Sequence, residues 1–249
     1  MSANDKALVI LSGGQDSVTC LYWALKTFGK GNVEAVTFDY GQKHKIELDS
    51  AKKVCELAGI EFDLLTFPNI LRSSSPLVDQ ANNLEKFDLI DDFETGIQPT
   101  FVPGRNILFF TIAANIALAK GCNKLVTGIG QEDFGGYYDC RNDFVEAMQL
   151  ALNEGLFGHS GKENWVEGDA VNRLEILTPL MFLSKKEIAE MANKLGKDCL
   201  EALAYSHTCY DGVFPPCGKC HSCHLRARGF AEAGIEDPLV VRAKEEQLV

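Results

Sequence analysis

The chain has 249 residues, of which 46% are hydrophobic and 24% charged, and these ordinary values exclude fibrous and intrinsically disordered classes. Its net charge of −11 argues against a broad nucleic-acid-binding surface. The longest nearly apolar stretch, residues 107–119, falls short of the roughly 20 residues that cross a membrane.

Short apolar runs alternate with longer helical patterns along the chain. The predicted strands are 7–11, 33–38, 62–67, 124–129 and 174–177. The predicted helices are 16–28, 43–58, 105–120, 143–153 and 185–195. Continuous apolar strands are typical of parallel sheets that are covered on both faces. The alternation therefore predicts an α/β fold built on a doubly wound parallel sheet.

Two stretches between these elements carry no clear periodicity. Residues 68–103 are rich in Ser, Asn, Asp and Pro, and residues 154–172 contain four glycines. A loop this long inside a compact domain is usually a functional lid or a disordered insert. We therefore expect an insert at 68–103 and an irregular segment at 154–172. By contrast, Ser184 followed by Glu187 predicts a capping box at the start of the last long helix.

A glycine-containing turn lies between the first predicted strand and the first predicted helix. The turn and its flanking residues are Leu11, Ser12, Gly13, Gly14, Gln15, Asp16, Ser17 and Val18. Ligands bind at this edge of a doubly wound sheet, and the free N–H groups of a helix start favour phosphate. No Gly-Lys-Ser/Thr follows, so the turn is not a Walker loop. We expect these residues to bind phosphate, with Asp16 either holding Mg²⁺ or capping the helix.

The pattern Ser-Gly-Gly-x-Asp-Ser after an apolar strand resembles the PP-loop of ATP pyrophosphatases. The resemblance implies an enzyme that splits ATP into AMP and pyrophosphate and adenylates a substrate oxygen. The turn alone also fits a capped helix without a ligand. If it binds phosphate, we expect Gly13→Ala to impair ATP use and leave the fold intact, because the added Cβ would block the approach of phosphate.

Four of the nine cysteines lie in one short C-terminal segment that also contains Pro and Gly residues. They are Cys209, Cys217, Cys220 and Cys223. Four thiolates are the ligand set of a closed tetrahedral zinc site. An iron–sulfur cluster uses the same ligands, and His207, His221 or His224 could replace one cysteine. We expect one structural Zn²⁺ per chain, and we divide the chain into an ATP-binding domain, 1–198, and a zinc-binding segment, 199–249.

Further motifs accompany the turn and the cysteines. They are Thr-Phe-Asp-Tyr-Gly-Gln at 37–42, Phe-Val-Pro-Gly-Arg-Asn at 101–106, Gly-x4-Asp-x2-Gly-Tyr-Tyr-Asp-Cys-Arg at 128–141, and Thr-Pro-Leu with Lys-x-Glu-Ile within 178–188. With them, the sequence from about residue 7 to about residue 230 resembles the 7-cyano-7-deazaguanine synthases of queuosine precursor biosynthesis. One departure is Tyr138, where that family usually has Pro.

The resemblance implies an ATP-dependent ligase that converts a carboxylate on a deazaguanine ring into a nitrile. In that family, ATP adenylates 7-carboxy-7-deazaguanine and ammonia displaces AMP to give the amide. A second ATP activates the amide oxygen, and its loss gives 7-cyano-7-deazaguanine. Mg²⁺ accompanies ATP, and zinc is structural. The small-molecule partners implied are therefore ATP, 7-carboxy-7-deazaguanine and ammonium.

Two basic residues lie at predicted helix starts, near the edge of the sheet where we expect ligands to bind. Lys185 begins the last long helix, and Arg105 follows Pro103 and Gly104 at the start of another. Lys185 suits a phosphate, and a guanidinium at Arg105 suits either phosphate or the substrate carboxylate. We expect Asp16, Lys185 and Arg105 to form the catalytic group. Either cation fits equally well as a solvated surface residue.

Three polar residues after the fourth predicted strand are expected to contact the deazaguanine ring. They are Asp133, Asp139 and Arg141. A carboxylate can accept hydrogen bonds from the N1 and 2-amino edge of such a ring, and Phe134, Tyr137 or Tyr138 could stack on its face. A glycine-rich surface loop with solvated acids is the alternative. For Cys140 we favour a buried small residue over a sulfur carrier.

Two other functions fit some of these features. The chain could be another PP-loop adenylating enzyme such as a tRNA thiolase, although it has no basic module, or a non-catalytic protein that binds ATP and zinc. The N-terminus lacks a basic segment followed by a long apolar run, so we expect no signal peptide. We expect a cytoplasmic protein that binds neither nucleic acid nor membrane. We also expect a homodimer.

Overall fold

The structure is a computed structural model, and it describes residues 5–68, 70–79, 81, 86, 97–131, 137–158 and 173–248. Within these residues the strands are β1 (Ala7–Ile10), β2 (Val33–Asp39), β3 (Phe62–Thr66), β4 (Lys124–Val126) and β5 (Glu175–Leu177). All neighbouring strands run parallel, in the order β3-β2-β1-β4-β5. The predicted doubly wound parallel sheet is therefore confirmed.

The strand order places a switch point beside the central strand. The chain steps from β1 outward to β2 and β3, then crosses to β4 and β5 on the other side of β1. Val9 of β1 pairs with Ala35 of β2 on one side and with Val126 of β4 on the other. Connections leaving β1 and β4 diverge, which opens a crevice at the carboxyl ends of these strands.

Eight helices are present in the described part of the chain. They are α1 (Gln15–Phe28), α2 (Ile46–Ala58), α3 (Arg105–Ala119), α4 (Asn142–Phe157), α5 (Lys185–Leu195), α6 (Lys197–Tyr205), α7 (His221–Ala233) and α8 (Pro238–Glu245). Short 3-10 turns lie at Lys30–Asn32 and Tyr138–Cys140. None of the described helices combines the length and the apolar character needed to span a membrane.

The helices cover both faces of the sheet, and each face has its own core. Ala7 and Val9 of β1 face one core, which receives side chains from α1, α2, α5 and α6. Leu8, between them, faces the other core, which includes Phe110 of α3 and Leu152 of α4. This alternation along a strand buried on both faces explains why the strands are continuous apolar runs in the sequence.

Several predicted boundaries differ from the observed ones. The helix predicted at 143–153 continues to Phe157, so residues 154–157 are not irregular. The helix predicted from 43 begins at Ile46, and the Gln42 side chain before it bonds back to Tyr40 N and the Phe38 carbonyl. Strand β4 ends at Val126 rather than at 129, and Gly128 already lies against the backbone of Asp16.

The small C-terminal part, predicted as a helical or knuckle-like zinc-binding segment without individual helices, contributes α6, α7 and α8. Helix α6 packs on α1 and α2, and its Cys199 and Leu203 belong to the same core as β1. Helix α7 packs along α5. Arg226 of α7 is buried and donates from Nε and Nη2 to the Asp237 carboxylate at 2.7 and 2.8 Å. This bidentate pair fixes the entry into α8.

Candidate active site

A cavity of about 300 Å³ opens at the carboxyl ends of β1 and β4, at the switch point of the sheet. Its volume is in the range of small-molecule binding sites. One group of lining residues comes from the predicted phosphate turn and its surroundings: Leu11, Ser12, Gly14, Gln15, Asp16 and Ser17. Gly13 and Val18 do not belong to the lining. Gly13 packs against α2, and Val18 is fully buried in the core.

The turn is held in shape by its own hydroxyl groups. The backbone N–H of Ser12 donates to Ser17 Oγ at 3.2 Å, and Ser17 Oγ donates to the Gly14 carbonyl at 3.0 Å. The two hydroxyl groups of Ser12 and Ser17 lie 3.1 Å apart. Gly13 has φ +86°, a left-handed conformation that favours glycine. The turn therefore presents backbone N–H groups and hydroxyl groups to the cavity in a fixed arrangement.

Lys185 and Asp16, which are 169 positions apart in sequence, meet at this turn. Lys185 Nζ lies 2.8 Å from Asp16 Oδ2, and the two side chains are 14% and 24% exposed. Lys185 is therefore not a solvated surface lysine. The predicted capping box is present, since Ser184 accepts from the backbone N–H of Glu187 and the Glu187 side chain accepts from Ser184. It sets the start of α5, and thus the position of Lys185.

Arg105 and Tyr40 form another part of the cavity lining. The Arg105 guanidinium donates a hydrogen bond to the Tyr40 hydroxyl. Burial alone lowers the pKa of Arg105, but the neighbouring Tyr40, Cys140 and Asp139 outweigh it and raise the pKa above its usual value. Arg105 is thus a permanent cation in the cavity, which supports the prediction that it binds an anion.

Glu47, in the first turn of α2, also lines the cavity. Burial raises the pKa of its carboxyl to about 7, although His207 and Arg105 favour the ionised form. Glu47 was not among the residues predicted from the sequence. Glu47 could have been proposed from its position in the segment after β2, because the segments that follow parallel strands meet at one edge of the sheet.

The residues predicted to contact the deazaguanine ring occupy different places. Asp139 is buried outside the cavity lining, where its carboxylate accepts a hydrogen bond from the backbone N–H of Asn106 at the start of α3. Burial raises the pKa of Asp139, and Arg105 opposes this shift. Arg141 is exposed and lies over the Tyr138 ring at 5.4 Å. Asp133 and Phe134 lie outside the described residues.

Tyr137 and Cys140 line the cavity, and neighbouring side chains hold both of them. The Tyr137 ring stacks on Phe101 with centroids 5.4 Å apart, and its hydroxyl bonds to Thr100 Oγ1 at 2.5 Å. Cys140 is 9% exposed, and Asn106 Nδ2 donates to its sulfur at 3.5 Å. Of the two predicted tyrosines, Tyr137 is thus placed to stack on a ring, whereas Tyr138 is 60% exposed and outside the lining.

The four C-terminal cysteines form one compact cluster. Their sulfur atoms all lie within 4.8 Å of one another, and the Cys217 and Cys223 sulfurs are 3.9 Å apart. Backbone N–H groups support the sulfurs: Cys217 N donates to Cys209 Sγ at 3.3 Å, and Cys220 N donates to Cys217 Sγ at 3.4 Å. Such bonds stabilise thiolates, which is the form that binds metals. The predicted residues therefore make a single site for a metal.

The cysteine segment also forms part of the cavity. The backbone N–H of His207 donates to the Gly13 carbonyl at 2.8 Å, so the segment is bonded directly to the phosphate turn. His207, Thr208, Cys209 and Tyr210 are all in the lining. This contact was not predicted, because it joins segments almost 200 residues apart. It makes the cysteine cluster a support for the site as well as a metal site.

Known proteins similar to this chain agree on one family. The family model described as "Queuosine biosynthesis protein QueC" matches residues 6–234. A 7-cyano-7-deazaguanine synthase from Chromobacterium violaceum is 48% identical over 245 residues, covering 98% of this chain and 97% of that protein. Proteins of the same name from Laribacter hongkongensis and Gloeobacter violaceus are 45% and 46% identical, each over 96% of this chain and at least 95% of their own length.

Proposed function

This chain belongs to the queuosine biosynthesis protein QueC family and is a carbon–nitrogen ligase. We propose that the cavity at the switch point of the sheet catalyses both steps of the family's reaction. The reaction converts 7-carboxy-7-deazaguanine, ammonium and ATP into 7-cyano-7-deazaguanine. The observation that carries this proposal is the convergence of the Ser12–Ser17 turn, Lys185 and Arg105 on one cavity. These groups supply separate sites for the phosphates and for a carboxylate.

The turn and Lys185 are proposed to bind the phosphates of ATP. Ser12, Gly14 and Ser17 line the cavity with N–H and hydroxyl donors, and the positive end of the α1 dipole adds to them. Lys185 stabilises the negative charge that develops as pyrophosphate leaves. Asp16 holds Lys185 in place at 2.8 Å, and its carboxylate is the proposed partner of the Mg²⁺ that accompanies ATP.

Arg105 is proposed to hold the substrate carboxylate for attack on the α-phosphorus of ATP. Its guanidinium is fixed by Tyr40 and by the start of α3, so its direction is set before the substrate binds. Tyr137 supplies a ring face on which the deazaguanine can stack. Asp133, Asp139 and Arg141 remain proposed substrate residues. In this proposal Asp139 acts indirectly, because its carboxylate accepts a hydrogen bond from the backbone N–H of Asn106 at the start of α3.

Two activations follow one another in this arrangement. First, a carboxylate oxygen of the substrate attacks the α-phosphorus, pyrophosphate leaves, and ammonia then displaces AMP to give the amide. Second, the amide oxygen attacks a second ATP in the same way. Loss of that oxygen with AMP and of two protons from nitrogen leaves the nitrile. AMP is the leaving group each time, so the same phosphate site serves both steps.

Zinc is the metal we propose for the cysteine cluster. Four thiolates on one Zn²⁺ at about 2.3 Å form a small tetrahedron. A four-iron cluster spreads its thiolates over different iron atoms, and hence over a larger tetrahedron. The four sulfur atoms all lie within 4.8 Å of one another, which supports the smaller tetrahedron of a single zinc ion. The ion would link the segment around Cys209 to α7 and leave no position open for chemistry.

The remaining expectations concern the surroundings of the enzyme. We propose that it works in the cytoplasm, as a homodimer, on small molecules and without nucleic acid. The net charge of −11 supports the last point, because a polyanion would be repelled. The division into an ATP-binding domain, 1–198, and a zinc-binding segment, 199–249, also remains a proposal.

The test is a product assay with the purified protein. It is incubated with ATP, Mg²⁺, ammonium and each of several deazapurine carboxylates, and the products are identified by mass spectrometry. We expect 7-carboxy-7-deazaguanine to give the nitrile through a transient amide, with AMP and pyrophosphate formed in both steps. ATP binding without turnover of any carboxylate would contradict the proposal, and so would formation of ADP in place of AMP.

A further inference from the structure

The proposed reaction needs a group that the phosphate turn does not supply. Ammonium is a cation, and it attacks the activated carboxyl only after it loses a proton. A carboxylate beside the reacting carbon can bind the cation and accept the proton. Among the described residues that line the cavity, the carboxylates are Asp16 and Glu47.

Asp16 is already engaged by the phosphate site. Its Oδ2 lies 2.8 Å from Lys185 Nζ, and moving it to a nucleophile would release that cation. Asp139 is buried outside the lining, with its carboxylate at the start of α3. Glu47 is therefore the described cavity carboxylate that engages neither Lys185 nor the start of α3.

The surroundings of Glu47 place it near the reacting carbon. Its charge interacts with those of Arg105 and His207, and it acts in turn on the Tyr40 phenol. All three of these neighbours line the cavity. Since Arg105 is the proposed partner of the substrate carboxylate and Glu47 lines the same cavity, Glu47 faces the space in which nitrogen must attack.

The ionisation of Glu47 suits this role. Burial raises the pKa of Glu47, and the charges of His207 and Arg105 oppose this shift. A carboxyl group that titrates near neutral pH can take up and release a proton in each turnover.

We propose that Glu47 is the ammonium-binding residue of this ligase and accepts the proton that the attacking nitrogen loses. The inference rests on the proposed function. In the first step Glu47 takes one proton from ammonium and passes it to solvent, and the C–N bond forms. The C–O bond to AMP then breaks with its electron pair on the AMP oxygen, and Glu47 takes the second proton that nitrogen loses. In the second step Glu47 accepts the protons released in turn as the adenylated amide becomes a nitrile and AMP departs.

Glu47→Gln separates this role from the binding of ATP and acid. We expect the variant to keep ATP–pyrophosphate exchange with 7-carboxy-7-deazaguanine, because adenylation precedes ammonia. Amide formation from ammonium should fall about 100-fold, as for loss of a general base. Hydroxylamine, which is already a neutral amine at pH 7, should still trap the adenylate as a hydroxamate at close to the wild-type rate. Glu56→Gln, on the exposed side of the same helix, is the matched control and should change neither product.

The outcomes are distinct. Wild-type amide formation by Glu47→Gln would overturn the Glu47 assignment and leave the proposed function standing. Equal loss of exchange, amide and hydroxamate would also overturn it, since Glu47 would then serve ATP or the acid. If Glu47→Gln does not fold, Glu47→Ala, which also removes the carboxylate, takes its place with the same expectations. A wild-type protein that makes no amide would instead contradict the proposed function itself.

Discussion

At the scale of single residues, the two glycines of the phosphate turn differ in what surrounds them. Gly13 has φ +86°, and a Cβ added there would lie 2.9 Å from the backbone nitrogen of Ala51 in α2. Gly14 has φ −79°, and a Cβ added there would make an ordinary contact with Thr208 at 3.4 Å. Gly13 therefore packs the turn onto α2, whereas Gly14 faces the cavity.

Alanine at these two positions should have opposite effects. Gly13→Ala should lower the free energy of unfolding by about 1–3 kcal/mol, because the backbone is strained and α2 must move. Gly13→Ala is therefore expected to keep the fold at lower stability, in addition to impairing ATP use. Gly14→Ala should keep its stability and bind ATP more weakly, because its methyl group occupies the cavity edge. Urea denaturation and ATP titration measure the two effects. A stable Gly13→Ala variant with normal ATP binding would refute this assignment.

At the scale of elements, the start of α5 is positioned from behind by α7. A Cβ added at Gly229 of α7 would lie 2.7–2.8 Å from the Cβ and the backbone of Lys185. The close packing of these two helices is possible because Gly229 has no side chain. The position of the cavity lysine thus depends on a residue that does not belong to the cavity lining.

Gly229→Ala should consequently displace Lys185 and lower turnover, although the mutated residue is not in the cavity lining. Gly155 in α4 is the matched control, since nothing lies within 4 Å of a Cβ added there. Gly155→Ala should retain full activity and gain up to about 1 kcal/mol of stability, as expected for alanine in a helix. Steady-state turnover and melting temperature test the pair. Equal activity of the two variants would show that α7 does not position Lys185.

We expect loss of zinc from the zinc-binding segment to weaken ATP binding as well. Cys223→Ala removes one of four ligands, so we expect loss of zinc, a lower melting temperature and weaker ATP binding. The last effect follows from the bond between His207 N–H and the Gly13 carbonyl. Cys122→Ala, at a buried cysteine outside the cluster, should keep its zinc. Elemental analysis checks both variants. Full zinc content in Cys223→Ala, or iron in the wild type, would contradict the zinc assignment.

The sequence predicted the elements whose patterns are local. All five strands were predicted, several of them from apolar runs, and the residue types of Ser184 and Glu187 predicted the capping box of α5. Helices α6, α7 and α8 were not predicted individually. Helix α6 has only nine residues. Helix α7 has Cys220 as its N-cap, so it starts within the segment that contains the metal ligands. Short helices of this kind are stabilised by packing, which no local pattern encodes.

At the scale of the whole molecule, the site is assembled from distant parts of the chain. The strand order brings the segments after β1, β2 and β5 to one edge, where Asp16, Glu47 and Lys185 line one cavity. The turn, the cysteines and both cations could be proposed from the sequence, because their residue types carry the chemistry. The pairing of Asp16 with Lys185 and the role of Glu47 could not, because they depend on tertiary contacts.

The most direct test of a single site for both activations is single-turnover AMP release by Lys185→Met, measured with the acid and separately with the amide. Lys186→Met, on the exposed side of the same helix, is the control. We predict that AMP release from Lys185→Met falls about 10²–10³-fold with each substrate, as for removal of one stabilising cation or donor, and that the control keeps both rates. A loss with only one substrate, or with neither, would contradict the claim that one cavity performs both steps.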